Sequence, residues 1–292
     1  MTIITPNYYK NFKCIADKCK HSCCIGWEIE IDDVTAQKYK AVTGDFSSRL
    51  NDNIDFGESP FFKLDKNERC PFLNQNGLCD IITNLGEDML CQICTDHPRF
   101  RNYYGDYEEI GLGMTCEAAT EIILTSAEKT TLNIPSDALE MPLINFREKL
   151  FNVLQDRTIS VDNRADKMLA LVDAKLPNND WYGIFSGLER LDNAWDEYLV
   201  RIKDGIDTTA DTALDVAYEQ LLVYLIYRHF LDVQYDEMLK ERVLFAALIY
   251  KVAKKMNVSN TLPELIEIVR LYSSEIEYSD ENINVLLSYL EN

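Results

Sequence analysis

Nine cysteines carry the most legible chemistry in this 292-residue chain: Cys14, Cys19, Cys23, Cys24, Cys70, Cys79, Cys91, Cys94 and Cys116. They fall into groups. The first reads Cys14-x4-Cys19-x3-Cys23-Cys24-x2-Trp27, the second Cys70-Pro-Phe-Leu…Gly77-Leu-Cys79. The third is Cys91-Gln-Ile-Cys94-Thr-Asp-His97-Pro-Arg-Phe100, followed later by Cys116-Glu117. A Cys-x2-Cys pair sets two soft sulfur ligands on one tight turn, a spacing suited to zinc or to an iron–sulfur cluster. A disulfide framework normally has an even count and follows a signal peptide. Here the count is odd, and the stretch Met1–Lys10 shows no basic segment followed by a long apolar run. Metal or cluster binding is therefore expected, with all nine cysteines as candidate ligands; a redox dithiol or inert buried thiols are the alternatives. One cluster needs four ligands, and spacing alone does not say which four. The thiols read as reduced and the chain as cytoplasmic.

The elements that must position these groups change character along the chain. Residues 1–130 are broken by glycine, proline and cysteine, with one extended candidate, Trp27-Glu-Ile-Glu-Ile-Asp32, whose apolar and acidic positions alternate. Residues 131–292 read almost wholly as helices. Apolar spacing predicts helices over 144–154, 165–172 and 181–202, the last with a stripe of Ile184, Leu188, Leu191, Trp195 and Leu199. Segments 217–231 and 238–252 are apolar on several faces and are expected to be central. Thr261-Leu-Pro-Glu264 has the form of a capping box, and Ser279 begins a last helix. The expected fold is mainly α: an irregular cysteine-rich metal-binding module over 1–130, packed on a helical region over 131–292.

Charge excludes more than it assigns. With 29 basic and 49 acidic side chains the formal net charge is -20, the wrong sign for phosphate binding, so nucleic acid is not an expected partner. A lysine-bearing protein surface would be attracted instead, although solubility alone accounts for such acidity. The longest strongly apolar run, Leu221–Tyr227, is too short to span a bilayer.

Taken together, Phe12-Lys-Cys14…Cys19…Cys23-Cys24-Ile-Gly-Trp27-Glu-Ile-Glu-Ile-Asp32, Cys70-Pro-Phe-Leu73, Gly77-Leu-Cys79 and Cys91…Cys94…His97-Pro-Arg-Phe100 resemble the flagellin lysine-N-methylase (FliB) family. The cysteine-rich part is also similar to YkgJ-type zinc- or iron-chelating proteins. Tyr224 and Tyr227-Arg-His229-Phe230 resemble the family's later region. The resemblance implies methyl transfer from S-adenosylmethionine to flagellin lysines, by a protein associated with an iron–sulfur cluster of the 4Fe–4S type, with zinc as the alternative. The usual donor-site motifs are missing. No strand leads into Gly-x-Gly-x-Gly and a helix. A radical-type Cys-x3-Cys-x2-Cys begins at Cys19-x3-Cys23, but its third position falls on Gly26.

Lysine methylation requires a neutral amine aligned with the sulfonium methyl, and a group that takes the proton. The segment from Asp96 to Glu109, beside Cys91, Cys94 and Cys116, offers Asp96, His97, Tyr104 and Glu109 as candidate catalytic residues. Trp27 and Arg99 are candidates for holding the donor, Arg99 by clamping a carboxylate. Five of the six have a plainer reading: Asp96 as a turn cap, His97 as a ligand or a loop-fixing hydrogen bonder, Arg99 in a salt bridge, Tyr104 as packing and Trp27 as a wedge. Arg228 and His229 read as C-terminal helix caps.

Overall fold

The computed structural model describes residues 1–177, 180–203 and 212–291. They divide into two compact units: Lys13–Arg99, and Met1–Phe12 together with Phe100–Asn292. The chain leaves the first of these well before the change of texture near residue 130. Every cysteine but Cys116 belongs to Lys13–Arg99.

Chain order opens with β1 (Thr2–Ile4) of the larger unit. The cysteine-bearing unit follows, with α1 (Asp33–Lys40), α2 (Asp45–Asn53), β2 (Ile54–Asp55), β3 (Phe61–Phe62), α3 (Asp80–Leu85) and α4 (Gln92–Asp96). Its elements are short, and its own core gathers Ile29, Ile31, Tyr39, Leu50, Phe62 and Phe72. The segment at 27–32 is extended as its alternation predicts. Ile29 and Ile31 point inward and Glu28 and Glu30 outward, and Ile29 and Ile31 bond the backbone around Phe61.

The larger unit resumes in β4 (Arg99–Tyr104) and β5 (Tyr107–Leu112), reversed at Gly105, whose φ of 56° is left-handed. The three-stranded sheet has the order β1-β5-β4, with β1 parallel to β5 in the register Thr2↔Tyr107 and Ile4↔Glu109. Helices then dominate: α5 (Glu117–Leu124), α6 (Pro142–Leu154), α7 (Val161–Ala170), α8 (Trp181–Ser186), α9 (Ala194–Lys203), α10 (Asp215–His229), α11 (Val233–Asp236), α12 (Leu239–Met256), α13 (Leu262–Tyr272) and α14 (Asp280–Glu291). The chain is thus predominantly helical. α10 and α12 are buried on nearly all sides and form its centre, in line with their apolar composition. Among the described residues no helix is long and apolar enough to cross a membrane.

Two local expectations are corrected. The helix expected over 181–202 is two helices, because the buried carboxylate of Glu275 accepts the backbone N–H groups of Leu191 and Asp192 and holds the chain open there. Leu191 is consequently exposed rather than part of the stripe. Thr261 precedes α13 without a side-chain cap: its hydroxyl pairs with Ser259, its N–H bonds Asn257, and Glu264 reaches past it to Ser259. Ser279 does cap α14, its hydroxyl accepting from the Asn282 N–H at 3.2 Å.

Candidate metal centre

The three cysteine groups are drawn together by backbone bonds rather than by sequence proximity. Cys70 donates its N–H to the Cys24 carbonyl at 2.8 Å, joining the first group to the second. The 70–79 loop closes on itself: Leu73 bridges to Cys79, Asp80 N–H bonds the Phe72 carbonyl at 2.7 Å, and Asn74 Oδ1 accepts from Asn76 and Leu78. Gly77, at φ 75°, supplies the left-handed turn this closure needs. Asp32 attaches the third group. One of its oxygens caps α1 through Thr35 N–H, and the other accepts from Gln92 N–H at 2.8 Å. Cys79 and Cys91 stand at the N-caps of α3 and α4.

Electrostatics links five of these thiols. Hydrogen bonding from Cys23, against the opposing effect of burial, brings Cys24 down to about 7. Burial, then the neighbouring Cys24 and Cys79, push Cys70 up to about 12. Burial and Cys24 likewise raise Cys79. Cys91 and Cys94 share a proton: the hydrogen bond lowers Cys91 and raises Cys94, and Cys94 also feels Cys24 and Cys70. Cys24, Cys70 and Cys79 thus influence one another, Cys94 feels Cys24 and Cys70, and Cys91 joins through Cys94; Cys24 and Cys91 are biased toward thiolate.

The other cysteines lie differently. Cys14 is exposed and its sulfur accepts from Ala16 N–H. Cys19 bonds the His21 carbonyl at 3.3 Å, Cys23 serves Cys24, and Cys116 is the N-cap of α5 in the helical unit. All nine are free thiols. Among the described residues no three His, Cys, Asp or Glu side chains already form a metal-binding group.

Of the remaining candidates, Trp27 and His97 are brought together, ring centroids 6.4 Å apart, while the Trp27 indole donates to the Cys23 carbonyl at 2.6 Å. Burial, then Arg99, holds His97 down at about 4, so the imidazole is neutral. Asp96 accepts from Gln92 Nε2 one turn earlier on α4, and Arg99 donates to the Thr95 carbonyl. Tyr104 packs, partly buried, against the helical core. Glu109 is closed to substrate: it is 1% exposed and both its oxygens are bonded to Arg147. Arg228 and His229 do not cap their helix; both approach Glu277. Glu277 drew no attention in the sequence, and Asp32 only as the end of the extended segment and of the family-like motif. Asp32 carried a signal in retrospect, an acidic residue three before Thr35 at a helix start.

Against this geometry, similarity to known proteins is informative. Over 166 residues, 52% of this chain, the sequence is 27% identical to a lysine-N-methylase of Salmonella choleraesuis (strain SC-B67), covering 41% of that protein. The lysine-N-methylase of Salmonella typhimurium matches to the same extent. The flagellar biosynthetic protein FliU of Salmonella muenchen is 29% identical over 142 residues, 45% of this chain and 82% of that protein. The chain is similar to lysine-N-methylases. It spans about two fifths of the length of those it matches. No model of a known protein family matches it, and no solved structure does.

Proposed function

We propose that the chain is a protein lysine N-methylase, taking methyl groups from S-adenosylmethionine and holding an iron–sulfur cluster on thiols drawn from Cys24, Cys70, Cys79, Cys91 and Cys94. The similarity to lysine-N-methylases over half of the chain carries the activity. The similarity to FliU favours a flagellar substrate, with flagellin as the first protein to test. The residue types support the cofactor: the thiols of one small unit, tied together by the Cys70–Cys24 backbone bond and by Asp32, are soft donors of the kind that iron or zinc takes. A bound cluster would supply one-electron transfer. The chain's own part is to align the amine and remove its proton. Within Lys13–Arg99, Asp96 and the neutral His97 are the proposed groups for positioning the amine and accepting that proton, and Trp27 and Arg99 for the donor.

Anaerobic incubation with flagellin, with and without S-adenosylmethionine, followed by mass spectrometry of the flagellin, tests the activity. A donor-dependent gain of whole methyl units on lysine is expected; no gain refutes the enzyme and leaves a metal-binding protein. Iron, sulfide and zinc analysis of anaerobically purified protein tests the cofactor independently. Zinc without iron would replace the cluster by a structural metal.

A further inference from the structure

Two of the buried arginine–glutamate pairs in the helical unit are built differently. Arg147 meets Glu109 through two hydrogen bonds of 2.6 Å. Arg228, near the end of α10, is shared among several groups, the Tyr224 and Tyr278 side chains among them, and meets its carboxylate only at longer range. Its Nη1 is 3.5 Å from Glu277 Oε2 and 3.1 Å from the Tyr224 hydroxyl, and its Nη2 is 3.5 Å from the Glu277 carbonyl. Glu277 is well supplied without it. Its carboxylate accepts from the Tyr224 hydroxyl at 2.7 Å, from Ser273 and from His229 Nε2 at 2.9 Å, with the Tyr272 hydroxyl at 3.5 Å. It lies in a π-helical turn, Ser273–Glu277, that follows α13.

The Arg228 guanidinium sits among ring faces, 4.9 Å from the centroid of Phe100 and 5.6 Å from that of Tyr278. Phe100 is in turn edge-on to Tyr224. Gly111 makes room for the Phe100 ring, which a Cβ there would approach to 2.2 Å. Tyr278 is 53% exposed and the Arg228 side chain 11%, so this box opens toward solvent at Tyr278. Aromatic faces around a carboxylate are the chemistry that recognises an alkylammonium.

We propose that Phe100, Tyr224, Tyr278 and Glu277 form a seat for a lysine side chain of the protein substrate, as ammonium or methylated ammonium, which Arg228 fills until the lysine displaces it. The proposal rests on the methylase reading for what carries the lysine. Because the seat selects a charged amine, it recognises a docking lysine or a methylated product; the attacking nitrogen must be neutral and is held elsewhere. The incoming ammonium takes over from Arg228 the charge that faces buried Glu277, whose hydroxyl and imidazole donors stay in place.

Binding is the test, with no methyl donor present. Nα-acetyl-lysine methylamide and its Nε-trimethyl form are titrated into the full chain and followed by NMR, with methylguanidinium as competitor. The wild-type chain is expected to bind both probes and to release them to methylguanidinium. Tyr278→Ala should weaken binding about fivefold or more, and Arg228→Ala should strengthen it about tenfold. If Arg228→Ala does not fold, Arg228→Met vacates the charge while keeping a stem against Phe100. A wild-type chain that binds neither probe, a Tyr278→Ala chain that binds as wild type does, or a vacated seat that binds no tighter overturns the proposal. Loss of this binding in a chain that still methylates overturns the seat alone; binding in a chain that transfers no methyl overturns the methylase reading alone.

Discussion

Glu109 and Arg147 share two hydrogen bonds of 2.6 Å with neither side chain measurably in water, and so fasten β5 to α6. Tyr227 and Phe151 lay their rings against the same guanidinium. Taking one charge away leaves the other buried and uncompensated. Glu109→Gln is therefore expected to lower stability by about 3–5 kcal/mol in urea unfolding. Removing both charges, in Glu109→Gln with Arg147→Met, should cost less than Glu109→Gln alone. A single variant within about 1 kcal/mol of wild type would mean that the pair is not held as described.

Gly111 is required by its neighbour rather than by its own backbone. A methyl group there meets the Phe100 ring at 2.2 Å, so Gly111→Ala should cost about 1–3 kcal/mol through overpacking. Combined with Phe100→Leu, the loss should fall short of the sum of the two single losses, as residues in contact couple. Strict additivity in thermal or urea unfolding would contradict the contact.

Glu277 sets an acid limb to stability. Burial opposes its charge, but Arg228, His229 and Ser273 outweigh that and bring it from the ordinary 4.5 to about 2. A depressed carboxylate gives stability that is complete above its unfolded value and is lost as pH falls from about 4.5 toward 2. His229, held neutral by burial, acts in the same direction from its ordinary 6.5 downward. Urea midpoints between pH 3 and pH 7 should therefore drop steeply below about 4.5 for wild type. Glu277→Gln should be less stable at neutral pH and flatter in acid; parallel curves would remove Glu277 from the account.

The cysteines should separate by location. Cys91→Ser and Cys94→Ser are expected to abolish most bound iron, while exposed Cys14→Ser leaves it largely intact. Metal analysis per chain decides this, and equal losses in all three would show that the electrostatically linked thiols are not a distinct ligand set.

What the sequence makes legible here is what repeats locally. The burial of α10 and α12 follows from apolar residues on several faces, the inward turn of Ile29 and Ile31 from alternation, and the Ser279 cap from its residue type. What it hides depends on distant partners. Nothing near Trp181 announces that Glu275 will part its helix in two, and nothing near Glu109 announces Arg147. The same rule holds for residues singled out in the sequence. Trp27 and His97 meet across seventy positions of sequence, and Arg228 and His229 are claimed by a glutamate on another element rather than by their own helix end.

The parallel pairing of β1 with β5 has a consequence for synthesis. Thr2–Ile4 leaves the ribosome long before Tyr107–Glu109, its only sheet partner among the described strands. In between, the whole of Lys13–Arg99 emerges, with its own small core and all the cysteines but Cys116. The nascent chain can thus complete the thiol-bearing unit while the first strand still waits and the helices of the larger unit have yet to be translated.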